Sequence, residues 1–189
     1  MRALFDHVIP GLWIGWAIYW WVASYDVKPN RRRESLVSRA LHIVPLLVAA
    51  VLLGAPFHLP GLDRVVWPVG PLSNDGGALL VAGGLVLACW ARFDLGRNWS
   101  GSVTVKEGHE LVASGPYRIV RHPIYAGLLL ALVGSAIALG EIRGWLGVAI
   151  AFAALLRKLR LEERWMTERF GDEYAAYRKR VAALVPFVF

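Results

Sequence analysis

Apolar residues in this chain come in long runs separated by polar breaks rich in arginine and lysine. From Val8 to Tyr25 no residue is charged, and about eighteen such residues suffice for a helix across a bilayer's hydrocarbon core. A break over residues 26–39 carries Lys28, Arg31, Arg32, Arg33 and Arg39 against Asp26 and Glu34. A second run, Ala40 to Leu62, again lacks full charges, with Pro45, Pro56 and Pro60 marking kinks or a frayed end. After a link with nearly balanced charge, a third run spans Gly76 to Ala91, where Gly76, Gly77, Gly83 and Gly84 permit close helix contact. Residues 92–122 form the longest polar segment. Pro123 to Gly140 is a fourth run, and a tight turn leads into a fifth from Trp145 to Leu156. Nothing from Arg157 to Arg169 breaks a helix, so the fifth helix should continue past the membrane boundary. Gly171 and Asp172 suit a stop and a new start, predicting a last helix from about Glu173 to Leu184.

This pattern predicts an all-α, polytopic membrane protein with five transmembrane helices and cytoplasmic C-terminal helices closing a site. Two parts are expected: a three-span region at 1–91, and a catalytic region at 92–189 made of a loop, a two-span hairpin and the C-terminal helices. Both strongly basic loops belong on the cytoplasmic side by the positive-inside rule, which places the N-terminus outside and the C-terminus inside. The first run lacks the basic leader and cleavage site of a removable signal peptide and is expected to stay. Trp13, Trp16 and Trp20 share one helical face; lipid contact is the expected role, a lipid-tail groove the alternative.

Composition supports a lipid solvent. The chain has 189 residues, is 57% hydrophobic and contains nine tryptophans, more apolar surface than one soluble core hides. Its formal charge of +7 fits cytoplasmic loops facing anionic lipid, and no basic and aromatic stripe on a polar domain points to nucleic acid. Cys89 stands alone, and neither His42 nor His58 has carboxylate or thiol partners at metal-binding spacing, so no metal is expected.

Chemistry concentrates where the fourth run begins. Gly115 to Gly127 reads Gly-Pro-Tyr-Arg-Ile-Val-Arg-His-Pro-Ile-Tyr-Ala-Gly. Pro123 suits a helix's first turn, leaving Arg121 and His122 at the mouth, where free amides favour an anion. On the fifth helix Leu155, Leu159, Met166 and Phe170 form an apolar stripe whose fifth member is Glu163, and a carboxylate there needs a cationic or hydroxyl partner. Arg160 could supply one internally. Together with residues 174–180, these segments offer donors for a carboxylate (Arg121, His122, Arg157), acceptors for an ammonium or ribose (Glu162, Glu163) and flat faces for a base (Tyr117, Tyr125, Trp165).

The ordered set Gly115-Pro116-Tyr117, Arg121-His122-Pro123 with Tyr125 and Gly127, Glu162-Glu163, Phe170-Gly171 with Glu173-Tyr174, Tyr177 and Val185-Pro186-Phe187 resembles the isoprenylcysteine carboxyl methyltransferase family of integral membrane enzymes. The resemblance covers residues 92–189; the first three runs share only the hydropathy pattern. It implies methyl transfer from S-adenosylmethionine to a lipophilic or lipidated acceptor entering from the bilayer. The cofactor would be held by His109, Leu111, Val112, Tyr117, Arg121, His122, Pro123, Tyr125, Gly127, Glu162 and Glu163. Arg157 would orient an acceptor carboxylate, with Lys158 or Arg160 as substitutes if the helix register differs. Carboxylates, phenols, thiols and amines remain open as acceptors. Two other readings also stand: an NADPH-dependent, sterol-reductase-like oxidoreductase sharing the His-Pro-x-Tyr-x-Gly element, and a small membrane scaffold without activity.

Overall fold

A computed structural model describes residues 7–25, 27, 30–54, 56, 58–99, 104–106 and 111–186. Among these, six helices carry the fold: α1 (Ile9–Ala23), α2 (Leu36–Gly54), α3 (Pro71–Leu95), α4 (Pro123–Leu139), α5 (Ile142–Phe170) and α6 (Asp172–Arg180). The chain is all-α in character, with one addition that hydropathy did not suggest. Strands β1 (Asn30–Arg33) and β2 (Thr104–Lys106) pair antiparallel, with Arg33 opposite Thr104. This ribbon joins the two basic loops and therefore sets them on one side of the molecule.

The second run does not persist as one helix. Helix α2 accommodates Pro45 but ends at Gly54, and Pro56 and Pro60 lie in the link beyond it, because each lacks the amide hydrogen that a continuing helix needs. The link is then stitched to the α4–α5 turn. Val66 N–H donates to the Gly140 carbonyl at 2.8 Å, Ile142 N–H to Arg64 at 3.0 Å and Arg143 N–H to Leu62 at 3.0 Å. The Arg143 guanidinium sits 2.6 Å from Glu141 and 3.2 Å from Asp63. This clamp closes the end of the bundle opposite the ribbon.

Helices α3 and α4 make the most intimate contact, and glycine is the reason. A Cβ on Gly77 would lie 2.7 Å from the Gly134 carbonyl, and one on Gly134 would lie 2.6 Å from the Gly77 carbonyl. Seven residues along, Gly84 and Gly127 repeat the approach, each facing the other's carbonyl. Gly76 and Gly83 have nothing within 4 Å, so only one member of each expected glycine pair serves this contact. Helix α1 packs along α3, and α2 along α5.

By length and composition, α2 and α3 can each cross a membrane, and α4 is a shorter apolar helix. Helix α1 has 15 residues, and α5 turns from apolar to charged partway along its 29. Two of the five expected spans therefore meet the length requirement on their own. Large apolar side chains nevertheless face outward, among them Ile14, Ile18, Leu41, Leu47, Leu79, Val86 and Phe152. An apolar exterior on this scale is what lipid covers.

Candidate active site

At the end of the bundle near the ribbon, a cavity of about 250 Å³ opens between α1, α4, α5 and α6. Its polar wall comes from three segments. The first is the approach to α4. A 3-10 turn at Gly115–Arg118 buries Pro116 and Tyr117, and the next residues run beside the chain's C-terminal segment. Val120 pairs in parallel with Ala182, Arg121 N–H donates to the Ala182 carbonyl at 2.8 Å, and His122 N–H to Ala183 at 3.0 Å. The expected last helix thus stops at Arg180, four residues early, because residues beyond it bond to this neighbour instead of to their own helix.

The second segment is the charged half of α5. At about 100° per residue, Leu155, Lys158, Glu162 and Met166 fall on one face, and all four line the cavity. Glu163 lies one step further round and does not line it; its carboxylate is directed at the α4 mouth and α6. Arg121 Nε donates to Glu163 Oε1 at 2.8 Å, with Nη2 at 2.6 Å. Arg178 Nη2 stands 3.5 Å from the second oxygen. His122 bridges the acidic pair, with Nε2 3.4 Å from Glu163 Oε1 and Nδ1 3.6 Å from Glu162 Oε2. The Tyr125 hydroxyl donates to Glu162 Oε1 at 2.5 Å, and its ring lies parallel to the His122 ring. Arg160, the internal partner expected for Glu163, is exposed.

The third segment, α6, folds back across this cluster from Gly171, whose φ of +52° favours glycine. Tyr177 donates to the Tyr117 carbonyl at 2.6 Å. Arg121 Nη1 reaches the carbonyls of Arg178 and Val181.

Charge is balanced inside the cluster. Burial alone would lower the His122 pKa, but the Glu162 and Glu163 carboxylates outweigh it and raise the value above the ordinary histidine one. Burial likewise pushes Glu163 upward, yet His122 and Arg121 bring it down to about 2. Glu162 is lowered against the same burial effect, chiefly by His122 and Lys158. The shifts favour the charged forms of all three groups, each carboxylate supporting the imidazolium and being supported by it. Burial raises the Tyr117 and Tyr174 phenols and pushes Tyr177 up to about 12, so these three are hydrogen-bond donors and not bases.

The remaining wall is apolar: Trp16 and Trp20 from α1, Leu46 from α2, Leu95 at the end of α3 and Trp99 four residues beyond it, Ile124 and Leu128 from α4. Trp20 meets Trp99 edge-on at 5.5 Å, and the Arg92 guanidinium lies over Trp99 at 4.5 Å. Trp16 and Trp20 of the α1 stripe therefore face this cavity, and Trp13 packs inward with its Nε1 donating to Ser135 Oγ at 3.1 Å, contrary to the expected lipid contact.

Of the sequence-derived candidates, Leu111, Val112, Tyr117, Arg121, His122, Tyr125 and Glu162 line the cavity. Glu163 and Pro123 sit behind the wall, Pro123 fully buried in the first turn of α4. Gly127 faces α3, where its missing side chain lets the helices touch. Trp165 is buried beside Leu161 in a separate cluster. His109 lies outside the described residues. Arg157 turns away from the cavity: its guanidinium donates to the Ser38 carbonyl at 3.0 Å and hydroxyl at 3.2 Å, and contacts His42 Nδ1 at 3.4 Å, all on α2. Lys158 takes the place on the wall. Asn98, Trp99, Lys158, Tyr174 and Tyr177 complete the lining. Of these, Tyr174 and Tyr177 stood in the sequence only as part of the family-like set, whereas Asn98 and Trp99 sat in a polar segment without periodicity.

Residues 75–173 match the family model described as Phospholipid methyltransferase. Protein-S-isoprenylcysteine O-methyltransferase B of Arabidopsis thaliana is 30% identical over 174 residues, covering 88% of this chain and 84% of that protein. The human protein-S-isoprenylcysteine O-methyltransferase is 32% identical over 168 residues, covering 84% of this chain but 57% of its own length. The Schizosaccharomyces pombe protein of that name is 31% identical over 108 residues, covering 56% of this chain and 46% of its own length. Matches of this extent place the chain in the isoprenylcysteine carboxyl methyltransferase family.

Proposed function

We propose that this methyltransferase transfers the methyl group of S-adenosylmethionine to a lipophilic acceptor, an isoprenylcysteine-like carboxylate being the first candidate. The observation that carries the reading is a single cavity with a charged, aromatic-lined pole and an apolar wall. Glu162 offers a carboxylate for an ammonium or ribose hydroxyls. His122, held between Glu162 and Glu163, lines the cavity and would bring positive charge close to a ligand carboxylate. Tyr117 and Tyr174 add aromatic surface for a base. Arg121, Glu163 and Arg178 would act indirectly by fixing α6 over this pole. When bound, S-adenosylmethionine supplies a methyl group already activated by its sulfonium. The protein then has to position the acceptor and exclude water, and an ionised carboxylate acceptor needs no base.

In this reading α1 to α5 all span the bilayer, with the N-terminus outside and the C-terminus cytoplasmic. The outward apolar side chains and the basic ribbon at the cavity end support it. The test is transfer of a labelled methyl from S-adenosylmethionine to lipophilic acids, phenols, thiols and amines by the solubilised protein. Ester formation on the acids is expected; labelling confined to amines would contradict the acceptor assignment, and labelling of none would contradict the reading.

A further inference from the structure

Building on that reading, we infer that Arg92 is a positioning residue that makes the enzyme select its acceptor by the shape of the hydrocarbon tail. Trp20 of α1 and Trp99, beyond the end of α3, both line the cavity, and their rings meet edge-on. An edge contact of this kind is too weak on its own to hold two segments in one arrangement. One guanidinium supplies the rest. Arg92 is 3% exposed and stands behind the wall. Its Nη2 donates to the carbonyl of Ala23, the last residue of α1 and three beyond Trp20. Its Nη1 donates at 2.8 Å to the Gly96 carbonyl, which also accepts the Trp99 N–H at 3.2 Å. Its guanidinium carbon lies 4.5 Å from the centre of the Trp99 ring, within cation–π range. The backbone beside each tryptophan and the face of one ring therefore depend on a single side chain. Lysine could not replace it, because a compact ammonium lacks the planar fork that reaches two carbonyls and packs on a ring at once.

Fixing this corner changes what the wall can recognise. Elsewhere the apolar wall rests on contacts without direction, which repack around any chain of suitable length. Rings held in place admit only tails whose bends and branches follow them, since a pre-organised surface discriminates where an adaptable one does not. A polyisoprenyl tail is bent by its double bonds and carries methyl branches; an n-alkyl tail with an equally long main chain has neither. Ala23, Gly96 and Trp99 all lie on the apolar side of the cavity, so Arg92 bears on the tail and not on the donor.

The test compares wild type, Arg92→Gln, Arg92→Lys and Trp99→Leu in detergent, using N-acetyl-S-farnesylcysteine and N-acetyl-S-dodecylcysteine, whose main chains are equally long. S-adenosylhomocysteine affinity is measured by calorimetry on each. Wild type should favour the farnesyl acceptor in kcat/KM by about tenfold or more. Both Arg92 variants should lower that ratio about fivefold or more by raising KM for the farnesyl acceptor, with Kd for S-adenosylhomocysteine kept within about twofold. Trp99→Leu leaves Arg92 and its carbonyl partners in place, and it should lower the ratio to the same extent even if the Arg92 variants fail to fold. Arg92→Gln added to Trp99→Leu should change the ratio no further, because the two act as one unit. A wild-type ratio near one, an unchanged ratio in any of the three variants, or a parallel fall in S-adenosylhomocysteine affinity would each overturn the role given to Arg92. Methyl transfer by wild type to neither acceptor would instead overturn the proposed function, and this inference with it.

Discussion

The two walls of the cavity are built on different physics. The polar wall is cross-linked by directional bonds among segments far apart in sequence: Arg121 to Glu163, Tyr125 to Glu162, Tyr177 to the Tyr117 carbonyl, and the Val120–Ala182 pairing. These bonds are buried or partly buried, where leaving a partner out is costly. The apolar wall rests on aromatic edges and aliphatic contacts from α1, α2 and the end of α3. Contacts of that kind have no preferred direction and tolerate changes of shape. Rigidity is therefore concentrated where a donor would be held, and adaptability where a lipid tail would lie.

The largest effect is expected at Glu163. Removing its carboxylate strands Arg121 and His122 in a buried cluster, and breaking a buried ion pair from one side costs about 3–5 kcal/mol. Glu163→Ala should lower thermal stability in detergent accordingly, with loss of the α6 closure detected by proteolysis after Arg178 or Lys179. An unchanged melting profile would show that the α6 strap is held by other means. Acid titration sharpens the same point. The Glu163 pKa is depressed, so its contribution is complete above the ordinary 4.5 and is lost as pH falls toward about 2. His122 has the opposite sign: its contribution is complete below the ordinary 6.5 and is lost as pH rises through its elevated value. Thermal stability should therefore decline on both sides of a window between these titrations, and Glu163→Gln should flatten its acid limb.

A bulky residue at the α3–α4 crossing comes next. Gly127→Leu would drive a side chain into the Gly84 carbonyl and Ala88, and overpacking of this kind costs about 1–3 kcal/mol. Stability should fall, while surviving folded protein keeps its S-adenosylhomocysteine affinity. Loss of affinity at wild-type stability would return Gly127 to the binding site.

The smallest effect is expected on the apolar wall. Trp20→Ala removes one aromatic edge from a wall with several, so KM for a farnesylated acceptor should rise about threefold to tenfold without change in donor affinity. A fall in donor affinity would show that the two walls are not independent.

What could be read from the sequence follows the same division. Arg121, His122, Glu162 and Glu163 stood out because polar groups beside membrane runs, or on an apolar stripe, demand partners; Tyr174 and Tyr177 stood out only through the family resemblance. The meeting of the first four in one cluster, Glu163 behind the wall and the others on it, is what that demand predicts. The tryptophans of α1 gave no such signal, since an aromatic stripe satisfies a lipid face and a groove equally well. Helix register explains the miss at Arg157: it and Lys158 are adjacent in sequence but about 100° apart in space. Only the neighbouring α2, with Ser38 and His42, decides which faces inward. Gly127 was misplaced for a related reason, because a glycine that admits a helix backbone and one that admits a ligand look alike without the partner helix. The β1–β2 ribbon had no sequence signature, being held by pairing across some seventy residues.

The central claim is that Glu162, on the cavity wall, belongs to the donor site. Calorimetry of S-adenosylhomocysteine on solubilised wild type and Glu162→Gln, with NADPH as the control ligand, tests it directly. The expected result is binding to wild type, a loss of about tenfold or more in Glu162→Gln with its melting profile retained, and no response to NADPH. Equal affinity in both proteins, or binding of NADPH in place of S-adenosylhomocysteine, would contradict it.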